Sequence, residues 1–321
     1  MKKNLLLLGV AVAALSSCTN NEVIEMAENR AIGFEPFVGK PTKAVTEITD
    51  AGIRSFCVYG GYNDMTHVFN NQEVTSINGT NWSYEPTRYW VAGKVYKFAA
   101  YAPKAVENKI ETDFTNGHLN VKDYVSNPTS QYDLIYSGGV TKTPSAEETG
   151  TVDFEFNHLL SMIKFTFESG FTQDISVTIS DLKVFGMNST ATYTGSSDSW
   201  GDATEAVNTP GFVEMSGKTV AEIPSKGEET KAESAQFVVI PQTSPNVTVS
   251  FKATVNDAKG GEVVAKVLSG TITTPTWEKG LRYNYTIKIS GDDAGLKPIV
   301  IGDPTVTGWP GFTGGTTVDV Q

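Results

Sequence analysis

The sequence predicts an all-β protein, and three observations support this fold class. Apolar residues alternate with polar ones in several runs, clusters of Gly, Pro, Asn and Ser separate the runs, and no amphipathic helical pattern exceeds two turns. Many short strands with turn signals and no helical pattern favour sandwiches or barrels over parallel α/β folds.

Two long strands show the clearest alternation. Every second residue is apolar from Val247 to Val255, and the same pattern recurs from Tyr283 to Ile289. Each of these strands should therefore place one face in a core. Shorter strand candidates lie at 56–59, 95–101, 134–136, 177–185 and 237–240.

A third run changes phase part-way along. It alternates over 152–156, loses the pattern at 157–160 and resumes at Ile163. Such a slip suggests a bulge or bend within a strand, and the run as a whole is expected to close the first domain. His158 lies at the slip and is predicted to be a structural, hydrogen-bonding residue.

The first residues have the features of an export signal. Two lysines precede the apolar run 5–15, which is too short to span a bilayer. The following Leu15-Ser16-Ser17-Cys18 resembles a bacterial lipobox, in which Cys18 would carry a diacyl group on sulfur and become the new N-terminus. More than one acyl chain makes such anchoring stable. We therefore expect a signal peptide at 1–17 and a lipidated tether at 18–30.

Chain length and net charge indicate the number of domains and exclude some classes of partner. Removal of the signal leaves about 300 residues, which favours two domains; we place them at 31–169 and 170–321. The net charge of −11 and the pI near 4.8 argue against nucleic acid and anionic membrane surfaces as partners. If Cys18 carries lipid, Cys57 has no partner for a disulfide and is expected to be a buried strand residue.

The sequence contains no recognisable catalytic or metal-binding motif. Gly217-Lys218-Thr219 lacks the upstream glycine of a phosphate loop, and the three histidines are widely separated. We expect no catalytic residue, metal or cofactor, although a glycosidase with an unidentified pair of carboxylates stays an alternative. The aromatic residues could form a sugar-stacking platform or, as is commoner at strand spacing, a core. They are Trp82, Tyr84, Tyr89, Trp90, Tyr96, Trp200, Trp277, Tyr283, Tyr285 and Trp309.

Several landmarks occur in an order that resembles one protein family. The lipobox is followed by 31–34 (AIGF), 42–44 (TKA), 89–90 (YW), 96–103 (YKFAAYAP), 156–160 (FNHLL), 277–287 (WEKGLRYNYTI) and 306–309 (VTGW). The chain resembles the fimbrillin family of type V pilins over essentially its whole length.

The resemblance implies a fold and an assembly mechanism. Both domains would be transthyretin-like β-sandwiches, and the lipoprotein would be exported to the outer membrane. An arginine-specific protease would then cut ahead of the first domain and remove a strand, and a strand of the next subunit would fill the groove. Mapped here, the cut falls between Arg30 and Ala31, and the released strand includes 23–26. The donor is expected within 298–321 and includes Val300, Val306, Trp309, Val318 and Val320.

The resemblance leaves several roles open. The chain could be a stalk or tip subunit that supports adhesion and biofilm formation, or an anchor that keeps its lipid. A glycan-binding surface lipoprotein is a further alternative. The expected partners are other pilin subunits, the outer membrane through the lipid on Cys18, and a host or glycan receptor.

Overall fold

The computed structural model describes residues 30–37, 53–126, 131–145, 150–171, 175–206, 213–215, 220–224, 231–244, 246–292 and 295–309. These residues form strands and a six-residue 3₁₀ helix, Lys104–Lys109, so the all-β prediction is confirmed. Within the described residues, no helix is long and apolar enough to cross a membrane.

Twenty-six strands can be assigned to the described chain. The strands up to residue 158 are β1 (Gly33–Phe37), β2 (Ser55–Gly61), β3 (Phe69–Thr75), β4 (Tyr96–Ala102), β5 (Ile110–Asp113), β6 (His118–Val125), β7 (Ile135–Lys142), β8 (Thr151–Glu155) and β9 (Asn157–His158). The next eight are β10 (Ser161–Ser169), β11 (Ser176–Phe185), β12 (Asn188–Thr194), β13 (Ser199–Trp200), β14 (Thr204–Ala206), β15 (Val213–Met215), β16 (Val220–Pro224) and β17 (Lys231–Glu233). The last nine are β18 (Phe237–Val239), β19 (Gln242–Thr243), β20 (Val247–Asn256), β21 (Glu262–Ile272), β22 (Thr276–Trp277), β23 (Leu281–Ile289), β24 (Gly291–Asp292), β25 (Gly295–Leu296) and β26 (Thr305–Gly308).

The first half of the molecule has three layers of strands. Its central sheet has the order β3-β2-β4-β7-β9, and the β1–β8 pair and the β5-β6-β12-β13 sheet lie on opposite faces. In β2, Phe56 and Val58 belong to the core shared with β1 and β8, whereas Cys57 and Tyr59 belong to the core shared with β6 and β12. Because both faces of the central sheet are buried, β2 and β4 are apolar almost throughout rather than alternating.

The second half is a two-sheet sandwich. One sheet has the order β17-β10-β23-β26 and the other β15-β11-β20-β21, and a single apolar core lies between them. The alternation predicted for β20 and β23 is confirmed. In β20 buried and half-buried residues alternate from Val247 to Asn256, and in β23 every second residue from Tyr283 to Ile289 is buried. Each of these strands therefore turns one face to the core, as the alternation requires.

The run with the phase slip connects three sheets. β8 pairs with β1, β9 joins the central sheet beside β7, and β10 lies between β17 and β23 in the second half. The slip predicted as a bulge or bend within one strand is therefore a change of sheet. Each sheet presents its core on a different side, so the apolar phase must reset at every crossing.

The pairing bears on how the chain divides into domains. β10, which the sequence places in the first domain, hydrogen-bonds with strands of the second half, and β12 returns to pair with β6 of the first half. The boundary at residue 170 stays a prediction. If the halves are separate domains, these pairings place β10 in the second and β12–β14 in the first.

Candidate assembly site

Strand β1 is a short piece of chain whose apolar side chains complete the core of the first half. It pairs in parallel with β8 from Gly33 opposite Thr151 to Phe37 opposite Glu155. Among the described residues β8 is its one partner within a named strand, and the two form a separate two-stranded sheet. Ile32 and Phe34 are buried, whereas Glu35 is exposed. The chain here is thus held to the fold by its pairing with β8 and by the buried side chains of Ile32 and Phe34.

Phe34 fills a pocket made of aromatic rings. Its ring centroid lies between 5.1 and 6.3 Å from those of five other aromatic residues. The ring of Phe154 is stacked on it, and the others meet it edge-on or tilted. These rings, here called the aromatic pocket, belong to Phe56, Phe69, Tyr84, Phe98 and Phe154. Aromatic residues bury large areas and favour such edge and offset arrangements, so Phe34 contributes strongly to packing.

The residues just before β1 are fixed by hydrogen bonds to a neighbouring loop. The Ile32 N–H donates to the Arg88 carbonyl at 2.9 Å, and the Trp90 N–H donates to the Arg30 carbonyl at 2.9 Å. The Tyr84 hydroxyl donates to the Ile32 carbonyl at 2.7 Å. Arg30 and Ile32 are therefore both bonded to this loop.

The predicted cleavage site, between Arg30 and Ala31, lies at these hydrogen-bonded residues. Arg30 and Ala31 are both half-buried, and Ala31 forms an isolated antiparallel bridge with Tyr89. Cys18 and the predicted released strand 23–26 lie outside the described residues. The sequence analysis did not select Ile32 and Phe34 as site residues. Their alternation around Gly33, directly after an arginine, was the signal that could have identified them.

A second feature lies where the two halves meet, at the last described residues. Trp309 is 1% exposed and packs with residues of both halves. Its ring stacks on His158 with centroids 4.4 Å apart, and the guanidinium of Arg282 lies 5.8 Å from the ring centroid. His158 Nδ1 lies 2.8 Å from the Asp133 carboxylate, so it has the hydrogen-bonding role predicted for it. Trp309 is thus packed against side chains of both halves.

The predicted donor residues fall in different environments. Val300 is 82% exposed, whereas Val306 is half-buried in β26, opposite Tyr283 of β23. Trp309 is buried, and its N–H donates to the Gly280 carbonyl at 2.8 Å. Val318 and Val320 lie outside the described residues. Val306 and Trp309 are therefore parts of the subunit's own fold.

Burial shifts the pKa of two titratable side chains in the cores. Burial raises the pKa of Cys57 to about 11, which keeps its thiol protonated and unreactive near neutral pH. Burial likewise raises the pKa of Tyr285 to about 12. No group of three or more His, Cys, Asp or Glu side chains that could hold a metal occurs among the described residues.

The aromatic residues selected from the sequence form core rather than a platform. Six of the ten are buried, and the other four are half-buried. The buried six are Trp90, Tyr96, Trp277, Tyr283, Tyr285 and Trp309. A sugar-stacking platform needs exposed ring faces on one side of the molecule, and these ten side chains do not provide it.

Comparison with known proteins is consistent with this architecture. A fimbrial protein from Bacteroides vulgatus has a similar structure, with a TM-score of 0.63 and 17% identity over 88% of this chain and 100% of that one. A protein assigned to cell adhesion from Bacteroides ovatus has a TM-score of 0.51 and 14% identity over 88% of this chain and 98% of that one. At these identities the likeness concerns the fold. None of the curated proteins matches the sequence.

The family follows from a match over most of the chain. The model of the fimbrillin-like family matches residues 42–309, which include every described strand except β1. The resemblance noted in the sequence is thereby confirmed, and the chain belongs to the fimbrillin-like family.

Proposed function

We propose that this chain is a structural subunit of a cell-surface fimbria and that subunits join by exchange of strand β1. The observation that carries the proposal is the position of Phe34, which closes the aromatic pocket from a five-residue strand. Membership of the fimbrillin-like family supports the fimbrial role, as does the similar fold of a fimbrial protein from Bacteroides vulgatus.

Removal of β1 would expose a surface that can bind another strand. The aromatic pocket would be open to water, and the edge of β8 would lose its hydrogen-bonding partner. An unpaired strand edge beside exposed core is a template for an added strand, because backbone hydrogen bonds supply affinity and alternate side chains fill the pockets. A donor with apolar side chains two residues apart would reproduce Ile32 and Phe34.

Two arginines offer cuts with different consequences. A cut after Arg30, as the sequence predicts, would detach the tether with Cys18, but Ile32 and Phe34 would stay attached to the fold. Arg54 is exposed and lies between β1 and β2, so a cut there would separate β1 covalently from the rest of the chain. We propose that the cut after Arg30 releases the subunit from its lipid and that opening of the groove requires a cut between β1 and β2.

The donor segment is proposed to begin after Trp309. Val306 and Trp309 would have to leave the subunit's own core to act as donors, at the cost of their packing. The C-terminal tail, residues 310–321, carries Val318 and Val320 at alternate positions. Twelve extended residues reach about 40 Å, which suits a donor that enters a neighbouring subunit while Trp309 stays in place.

The lipid determines which role a given copy has. A copy that keeps the lipid on Cys18 would stay at the outer membrane and act as an anchor. A copy cut after Arg30 would be free to enter the fibre. Stalk and tip positions would then differ in what the tail and the opposite end of each copy bind.

The test is the N-terminus of the protein recovered from sheared surface fibres. A start at Ser55 in detergent-resistant assemblies would support release of β1. Assembly that is lost in Arg54→Ala but not in Arg30→Ala would identify Arg54 as the cut that opens the groove. A start at Ala31 would mean that β1 is retained and would contradict cleavage between β1 and β2. A lipidated start at Cys18 on monomers alone would contradict a fibre role.

A further inference from the structure

The outer face of one sheet in the second half carries a groove with cationic side chains. The groove runs across β10, β23 and β26, which lie side by side in this sheet, and it has a volume of about 220 Å³. Pockets for drug-sized ligands measure about 300–1,000 Å³, so the groove suits a smaller chemical group. Met162, which is buried and packs with the core of the first half, forms part of its wall.

The strand register arranges six of the side chains that line the groove in two rows. The rows are Lys164, Asn284 and Thr305, and Met162, Arg282 and Thr307. Odd-numbered residues from 163 to 167 and from 283 to 289 point into the core between the two sheets, so these even-numbered ones lie on the outer face. Lys164 and Arg282 are therefore diagonal neighbours, and long side chains reach across the spacing of about 7–8 Å.

The charge of the groove is opposite to that of the protein as a whole. The chain has 36 acidic and 25 basic residues, yet the described residues that line the groove include Lys164 and Arg282 and no acidic side chain. Two like charges at this spacing repel each other, and an anion placed between them would be attracted to both. The groove therefore favours a negatively charged ligand.

Both cations are held in place by neighbours that leave donors for a ligand. The Lys164 ammonium lies 2.8 Å from the carboxylate of Glu233, whose side chain is 58% exposed, and exposed ion pairs contribute little. The Arg282 guanidinium lies 5.8 Å from the ring centroid of Trp309. Because an ammonium and a guanidinium each carry several N–H donors, each cation can keep its neighbour and still bind an anion.

The other polar side chains of the groove suit hydroxyl groups. The Thr166 hydroxyl donates to Oδ1 of Asn284 at 3.0 Å, which leaves the amide nitrogen of Asn284 as a donor. Thr305 and Thr307 are exposed, and their hydroxyls can donate and accept. A ligand that carries hydroxyl groups beside its negative charge would match both parts of the groove.

We propose that this groove binds a carboxylated sugar of a glycan, such as a uronic or sialic acid. The carboxylate would lie between Lys164 and Arg282, because a planar guanidinium can pair with both oxygens of a carboxylate. The ring hydroxyls would bond to Asn284 and the two threonines, so no aromatic platform is needed. The biological use of the site rests on the proposed surface role. Binding is measured on the purified chain, however, and can fail without any change in fibre assembly.

The experiment is an NMR titration of the purified full chain with two matched pairs of sugars. Methyl glucuronoside is compared with methyl glucoside, which has a hydroxymethyl group in place of the carboxylate, and sialyllactose is compared with lactose. We expect saturable binding of at least one acidic sugar, with a Kd on the order of 1 mM. Its neutral partner should bind about tenfold more weakly or worse, because charge-assisted hydrogen bonds are the strong ones.

Variants separate the two cations from other charges of the same sheet. Lys164→Gln and Arg282→Gln should each weaken binding of the acidic sugar about tenfold or more. Glu233→Gln should strengthen it about twofold, because the variant removes a competing carboxylate. Lys288→Gln is the matched control, since Lys288 is exposed on the same face of β23 and lies outside the groove. Urea unfolding of each variant checks that it is folded.

Several outcomes would overturn the proposal. Among them are acidic and neutral sugars that bind alike, and acidic sugars that show no saturable binding. The same holds if Lys288→Gln weakens binding as much as Lys164→Gln, or if Glu233→Gln weakens it. Inorganic sulfate that binds as tightly as the acidic sugar and displaces it would make the groove a general anion site and overturn the assignment to a sugar.

Discussion

Replacement of Phe34 by alanine measures how firmly β1 is held. Phe34 is 6% exposed and lies beside five aromatic rings, so the change leaves a cavity in the aromatic pocket. Large-to-small changes of buried Phe cost about 3–5 kcal/mol in the free energy of unfolding. Phe34→Leu, which keeps most of the volume, should cost about 1–1.5 kcal/mol. Glu35→Ala, on the exposed side of the same strand, should change stability by about 0.5 kcal/mol or less.

Urea unfolding followed by tryptophan fluorescence checks the size of the loss, because Trp82 and Trp90 pack in the same cluster as Phe34. Hydrogen exchange of the amides of 31–37 checks its location. A loss of 3 kcal/mol in local stability accelerates exchange about 100-fold. If Phe34→Ala behaved like Glu35→Ala in both measurements, Phe34 would not hold β1 in place, and the reasoning that makes β1 the exchangeable strand would be wrong.

Three further predictions concern the core of the first half. Gly60→Ala should destabilise the protein by about 1–3 kcal/mol in chemical unfolding, because the added methyl would overlap the ring of Phe98. Cys57, with its raised pKa and complete burial, should react with a thiol reagent only in unfolding concentrations of urea; rapid labelling of Cys57 itself in the native protein, located by peptide mapping, would contradict this. Burial lowers the pKa of His118, whose Nδ1 lies 3.0 Å from the Tyr136 hydroxyl, so the fold favours the neutral ring. The neutral ring costs no stability above 6.5, the ordinary pKa of histidine, but the fold is destabilised as pH falls below that value, because the unfolded chain then binds the proton more readily. Tm of the wild type should therefore drop more between pH 7 and 5 than Tm of His118→Gln.

Strands with one buried face could be predicted from the sequence. In β20 and β23 apolar and polar residues alternate in the sequence, and burial alternates in the structure. Successive side chains of a strand point to opposite faces, so a strand with one buried face is apolar at every second residue. Which layer covers each face of a fully buried strand could not be predicted in the same way. β2 and β4 are apolar on both sides, and a continuous apolar run does not reveal which neighbour covers which face.

The residues of the candidate assembly site could be selected from the sequence only in part, for a related reason. The sequence identified Arg30 as the arginine ahead of the first strand, but it could not show that the residues after it, Ile32 and Phe34, close a core. That property depends on rings contributed by residues between 56 and 154, which are distant in sequence. Trp309 was assigned to the donor on its extended, β-prone context. Its burial beside His158 is a tertiary contact that no local pattern encodes.

The covalent link between β1 and β2 is the element that would control assembly. While the link is intact, β1 competes for the aromatic pocket at a high effective concentration, and a donor from another molecule must overcome that advantage. A cut between the strands turns β1 into a separate peptide, which dilution removes. We therefore expect a synthetic peptide of residues 310–321 to bind a chain that begins at Ser55 and to show no saturable binding to the intact chain. Equal binding to both would mean that β1 does not occupy the donor's site.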